Sequence, residues 1–288
     1  MSDKPSATNG GYFAIPEWSA ISLRGEHATT FAQAQFMGDL AGLAPGHWQW
    51  NGWLTPKGRL VALFALLKLD ETSLLLLLPD ADPGGLVADL GRFRFRSRVE
   101  IAHEPGWSID GRFGAPESAR GAAFAGTGPD TGLELDLGGE GGPRTLRVTA
   151  QGAPGDPALA ARWRQQDLAH GLPRLEAAQA GQWTPQQRSL ERLRAYSVHK
   201  GCYPGQEIVA RTHFLGQAKR GLVRLGGDAA LATGPVATPE APDRPLGQVV
   251  SVAGSEALAV MPLDAGNGPF QVQDVACRPL PLFDGLAR

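Results

Sequence analysis

Between residues 25 and 40 the apolar side chains Ala28, Phe31, Ala32, Phe36 and Leu40 recur at the spacing of one helix face, which predicts an amphipathic helix after a short strand at residues 21–23. The period then changes. Residues 48–53 and 60–78 read as strands, with Pro56-Lys57-Gly58 as the turn between them, and the longer run divides at Asp70-Glu71-Thr72-Ser73 into two buried strands. A helix is expected over 80–90, entered through Asp82-Pro83. Residues 92–101 alternate with period two, which predicts a strand with Phe93, Phe95, Val99 and Ile101 toward the core and Arg92, Arg94, Arg96, Arg98 and Glu100 outward.

The middle of the chain, 105–154, is rich in glycine and proline and carries short strand patterns at 133–137 and 145–149. A helix follows at 156–169 with Leu159, Trp163 and Leu168 on its inner side. Thr184-Pro185-Gln186-Gln187 reads as a helix start, with Thr as N-cap, Pro at the first helical position and Gln three residues on to close a capping box. Pro204, Ile208 and Val209 predict a further helix over about 204–213, with Glu207 placed to pair with Arg211 one turn later. Beyond Gly221, strand patterns at 222–225, 247–253, 257–263 and 270–277 separated by Gly/Pro turns predict a small all-β barrel or sandwich.

At 288 residues and 42% hydrophobic composition the chain exceeds one ordinary core, and two or three packed units are expected. The net charge of −2 supplies no global field for nucleic acid or an anionic membrane, so any polyanion contact must be local; the four arginines of 92–98 are either such a patch or a solvated outer face. Residues 1–11 are polar, lack the apolar core of an export signal, and are expected to be a disordered tail. The most apolar run is interrupted by Lys68, Asp70 and Glu71, which excludes an uninterrupted membrane span. Two distant cysteines, Cys202 and Cys277, fit a reducing cytoplasm rather than a disulfide framework.

The stretch HKGCYPGQEIVARTHF, residues 199–214, holds the candidate chemistry. Cys202 lies just ahead of the expected helix, where the helix macrodipole and the neighbouring charge of Lys200 both favour a thiolate. Gly201 and Gly205 allow close approach of a ligand to the backbone. The alternative is that Cys202 is a small buried hydrophobe, as Cys277 is expected to be. His199, Cys202 and His213 offer three zinc-binding side chains, but one thiolate at irregular spacing matches structural zinc poorly, and no metal site is assigned.

KGCYPGQE (200–207), followed by Val209-Ala210-Arg211-Thr212, Gly216 and Lys219-Arg220, resembles the signature of the YgfZ-type folate-binding proteins. These are relatives of the glycine-cleavage T-protein (aminomethyltransferase) and of iron-sulfur assembly factors. Phe31-Ala32-Gln33-Ala34-Gln35 with Asp39, Lys57-Gly58-Arg59, Gly171-Leu172-Pro173 with Glu176, and Thr184-Pro185-Gln186 resemble further family segments. Thr55 departs from the usual acidic residue, Ala34 from glycine and Ser189 from asparagine.

The resemblance implies an α+β, T-protein-like fold of two α+β units plus a C-terminal β-barrel, ring-like around a central channel. Its expected divisions are a first unit at 12–105, a second at 106–215 carrying the motif, and the barrel at 216–288. It implies a monomeric cytoplasmic protein that binds tetrahydrofolate or a derivative and supports iron-sulfur enzymes or assembly proteins, and through them tRNA modification, with Cys202 required. By position, Glu176 is the pterin carboxylate and Arg211 an anion partner, with Gly201 and Gly205 lining the ligand. Lys200, Tyr203, Gln206 and Glu207 are active-loop candidates, although Tyr203 has a packing alternative and Gln206 a loop-holding one. The rival functions are a tetrahydrofolate-dependent one-carbon transferase, which Thr55 disfavours, and an RNA-binding module using Arg92, Arg94, Arg96 and Arg98.

Overall fold

Strands with an apolar stripe on each side must be covered on both faces, and the first unit is built that way. The computed structural model describes residues 10–175, 177–216 and 218–288; the tail expectation for residues 1–9 and the assignment of Glu176 lie outside them. In chain order come β1 (Phe13–Ala14), β2 (Ser19–Arg24), α1 (Ala28–Gln35), β3 (His47–Leu54), β4 (Leu60–Asp70), β5 (Ser73–Leu78), α2 (Pro83–Gly91) and β6 (Glu100–His103). Strands β2 to β6 form an antiparallel sheet of order β3-β4-β5-β2-β6. One face, with Phe64, Leu66, Leu74 and Leu76, packs under α1 and α2; the other, with Trp48, Trp50, Leu67, Leu75 and Leu77, enters the central core. Double-sided burial explains the unbroken leucine run of β5.

The second unit holds β7 (Ser108–Arg112), β8 (Leu133–Asp136), β9 (Thr145–Thr149) and α3 (Pro157–Ala169). Its sheet is ordered β1-β7-β9-β8, so β1 belongs with it although it precedes the first unit in sequence. Asp156 caps α3 through two backbone N–H groups, and Trp163 and Leu168 are buried beneath it.

After α4 (Gln206–Phe214) come β10 (Arg220–Gly227), β11 (Pro235–Ala237), β12 (Gly247–Ala253), β13 (Glu256–Pro262), β14 (Phe270–Val272) and β15 (Val275–Leu280), closed into an antiparallel barrel of order β10-β13-β12-β11-β14-β15. Closure removes the exposed edges that an open sheet would carry. The chain then leaves the barrel and runs back: the Trp50 indole donates to the Leu286 carbonyl at 2.9 Å, and Leu286 is buried in the central core.

Arg174 ties the three units together. Its guanidinium donates to the Pro79 carbonyl (2.7 Å), to Asp80 (2.9 Å) and to Asp167 (3.3 Å), and its backbone N–H donates to Ser251 of β12 (3.0 Å). Asp167 is shared with Arg144 at 2.7 Å, both fully buried. Burial pushes the Asp80 carboxyl up and the Arg174 guanidinium opposes it. A charge removed from water this completely is tolerable only because each neighbour is itself a partner.

Three expectations are corrected. Residues 92–98 are not strand: they continue α2 as successive turns, with Phe93 N–H donating to Leu90 and Ser97 N–H to Arg94, and pairing begins only at Glu100. Phe95, expected inside, is 89% exposed. The capping box at Thr184 forms in both directions, Thr184 N–H to Gln187 Oε1 (3.0 Å) and Gln187 N–H to Thr184 Oγ1 (3.2 Å). It opens a series of turns ending in a 3₁₀ segment (Leu190–Leu193), because Ser189 and Arg194 at either end are left-handed. The motif helix begins at Gln206 rather than Pro204, with left-handed Gly205 as its N-cap.

Candidate functional site

Lys200 opens the motif and points inward. Its ammonium donates to the carbonyls of Gln33 (2.5 Å), Phe36 (2.6 Å) and Gly38 (3.0 Å), in the last turn of α1 and just beyond it, and the residue is 6% exposed. The receptor is itself braced: Gln33 donates to Asp39 and accepts from Leu40 N–H, and buried Asn51 accepts from Gly38 N–H. Burial pulls the Lys200 ammonium down to about 8, with Asp39 pulling the other way. The charge placed beside the thiol by sequence is therefore spent on α1, and Lys200 positions the loop.

The neighbouring residues hold the loop from beneath. The Tyr203 hydroxyl donates to the Ser197 carbonyl (3.0 Å), its ring lies in the central core, and burial pushes it up to about 12. Gln206 donates to the Lys200 carbonyl (3.0 Å), closing the loop on itself. Tyr203 is thus packed in the core and Gln206 hydrogen-bonded within the loop. Gln186 donates to the Val209 carbonyl inside α4.

Gly205 (φ +81°) and Gly58 (φ +67°) lie back to back. A Cβ on Gly205 would stand 2.7 Å from Gly58 Cα and 2.7 Å from the Thr55 carbonyl, and one on Gly58 would stand 2.7 Å from Ile208 Cβ. Only glycine satisfies both the left-handed backbone and the approach. The β3–β4 turn that carries Thr55, Lys57 and Gly58 is thereby fixed against the motif loop. Gly201, in contrast, faces open space.

Cys202 is exposed, whereas Cys277 is buried and burial pushes its thiol up. Glu207 and Arg211 are exposed and no ion pair joins them among the described residues, so the expected pair does not form. Nor do His199, Cys202 and His213 assemble as ligands: among the described residues no group of three or more His, Cys, Asp or Glu is placed to hold a metal.

A cavity of about 400 Å³ is lined by Ala178, Gln179, Gln182, Trp183, Thr233, Gln248 and Val249. Among the described residues the buried Trp183 indole N–H has no hydrogen-bond partner. The wall connects to the motif loop through one turn: Leu60 N–H donates to the Trp183 carbonyl, Arg59 donates to the Gln182 carbonyl, and Gly58 next to them meets Gly205. Trp183, Gln182 and Gln248 were not foreseen as site residues; the only sequence signal was an aromatic two positions ahead of Pro185.

Residues 219–282 match the family model described as CAF17, C-terminal beta-barrel domain. The matched residues span the barrel strands β10 to β15. Over the whole molecule it is similar to the aminomethyltransferase T of the glycine cleavage system from Bartonella henselae, with a TM-score of 0.75, 16% identity, and coverage of 95% of this chain and 85% of that one. It is also 29% identical over 217 residues to an uncharacterized protein of Haemophilus influenzae, spanning 73% of this chain and 71% of the relative. The fold is thus mixed α and β with a closed C-terminal barrel, as the resemblance implied. No helix among the described residues is long and apolar enough to cross a membrane.

Two outcomes are expected. In the native protein a small alkylating agent modifies Cys202 and spares Cys277, and denaturant adds the second label; mass spectrometry showing both or neither labelled in the native state contradicts the placement. Lys200 binds its proton less tightly folded than unfolded, so from about pH 8 to its usual 10.5 the unfolded chain holds more protons and this residue's contribution to stability rises with pH, being flat below that window. Urea midpoints of wild type against Lys200→Met, compared at about pH 7 and pH 9.5, should show wild type gaining on the variant; a loss would refute the assignment.

Proposed function

We propose that the protein is a folate-binding accessory factor for iron-sulfur enzymes or their assembly proteins, acting in the cytoplasm, with Cys202 as its working thiol and tRNA modification downstream of its clients. The observation that carries the reading is the motif loop, which is braced by Lys200, Tyr203, Gln206 and Gly205 and leaves Gly201 and Cys202 exposed at its turn. That rigid presentation suits a thiol which must meet a sulfur on another molecule, a reaction of the thiolate limited by access. The YgfZ/CAF17 barrel and the likeness to an aminomethyltransferase support the folate half of the proposal.

The described residues fit a flat, hydrogen-bonding heterocycle. The cavity offers the side chain of Trp183 as an aromatic wall and the amides of Gln182 and Gln248 as hydrogen-bonding groups. Tetrahydrofolate bound there would stack its pterin on Trp183; of the residues assigned to the ligand by resemblance, Glu176 lies outside the described residues, Gly201 and Arg211 are exposed and available to it, and Gly205, filled by Gly58 and Thr55, is a packing position and not a ligand contact. Bound folate supplies a one-carbon carrier. A one-carbon transferase is the weaker reading, because the position of the expected acid is Thr55, whose hydroxyl accepts from Arg59 N–H (3.2 Å) and offers no carboxylate to manage protons.

Calorimetry with tetrahydrofolate tests the ligand, and complementation tests the thiol. Trp183→Leu is expected to weaken binding about ten-fold, the scale of one lost aromatic contact. Cys202→Ala is expected to bind as wild type yet fail to restore iron-sulfur enzyme activity in cells lacking the native protein. Absence of folate binding by wild type, or full rescue by Cys202→Ala, would overturn the corresponding half.

A further inference from the structure

The turn after α2 presents an aromatic ring to solvent between guanidinium groups. Phe95 is 89% exposed although phenylalanine is an apolar residue ordinarily turned inward. Its backbone is left-handed (φ 40°), a conformation that costs a bulky residue of order 1–3 kcal/mol and persists only where something favours it. Phe93, two residues earlier, supplies the anchor: its ring meets buried Trp53 edge-on at 5.7 Å. The turn is therefore held at its base while Phe95 projects.

The cations around that ring divide into two kinds. Arg92 is paired with Asp89 (3.2 Å) and Arg98 with Glu26 (2.8 Å), at the two ends of the turn. Arg94 and Arg96, immediately either side of Phe95, have no carboxylate partner among the described residues; Arg94 makes only a 3.5 Å bond to the Val99 carbonyl. An exposed guanidinium on each side of an outward ring, neither paired with a carboxylate among the described residues, is the complement of a stackable base between two phosphates. An anionic bilayer fits less well, since it rewards several inserted apolar side chains and a net excess of charge, whereas here one ring projects and Asp89 and Glu26 neutralise the flanks.

We propose that the turn at residues 92–98 binds single-stranded nucleic acid, with Phe95 stacking on an unpaired base and Arg94 and Arg96 contacting the adjoining phosphates. The site is independent of the folate reading and uses none of its residues. Binding is salt-sensitive and tolerant of sequence, because every base has a stacking face.

Fluorescence anisotropy of the full chain with labelled oligouridylate and oligothymidylate of about 12 nucleotides, within the usual single-strand site sizes, tests this directly. Wild type should bind the single strands in preference to a duplex of the same length. Phe95→Gly should lose about five-fold or more in affinity, the scale of one stacking contact, while its thermal midpoint holds or rises, because glycine relieves the left-handed backbone. Arg94→Gln with Arg96→Gln should reduce the slope of log affinity on log salt by about 1.4. A preference for uridylate over thymidylate assigns the ligand to RNA and equal binding to either strand, and both support the site. No binding by wild type, equal affinity for the duplex, unchanged binding by Phe95→Gly, or Phe95-dependent flotation with phosphatidylserine vesicles in place of oligonucleotide binding would each overturn it.

Discussion

Two glycine backbones in contact, Gly58 in the first unit and Gly205 in the motif loop, set the position of everything chemical in this molecule. The approach is closer than any side chain permits, and both residues are left-handed, so the sequence has no substitute at either place. Backbone-to-backbone contact is also the least compliant kind: no rotamer can absorb a displacement. The loop is thus located by the β3–β4 turn, and α4 starts from that fixed point, with Ile208 on one side of Gly58 and Val209 buried in the core.

Polar contacts of high burial then extend the same rigidity. Lys200 binds carbonyls in the last turn of α1 and just beyond it, a task usually left to water or a glycine cap, and in doing so joins the loop to a helix more than 160 residues earlier in the chain. Arg174 performs the equivalent service between the two sheets and the barrel. Neither is an economical way to gain stability, since desolvating a cation costs more than an apolar contact of the same size. What they provide is a single relative placement of three units, which a loop that must expose one thiol requires.

Much of this was legible in the chain. The double-sided leucine runs of β4 and β5, the turn at Asp70-Glu71-Thr72-Ser73 and the Gly/Pro-punctuated barrel strands follow from periodicity, because burial on one or both faces writes itself into alternation. Residues 92–101 show the limit. Their alternation is real, yet Phe93 and Phe95 serve different ends, one packed on Trp53 and one in solvent, and a period of two cannot tell a strand from a turn that reverses direction at a left-handed residue. At the site, the motif named the loop, but charge proximity along the sequence misplaced Lys200: adjacency to Cys202 says nothing about where a long flexible side chain goes when three carbonyls lie within its reach. Trp183 and Gln248 come from segments far apart in sequence and meet only because the barrel docks on the second unit.

The most direct test is a double-mutant cycle on the glycine pair, with unfolding free energies measured for Gly58→Ala, Gly205→Ala and the double variant. If the two turns rest on one another, each single change forces them apart at a cost of about 2 kcal/mol or more, and the second adds distinctly less than it does alone, giving a coupling on the order of 1 kcal/mol. Costs that simply add, or single variants as stable as wild type, would show that the contact does not position the loop.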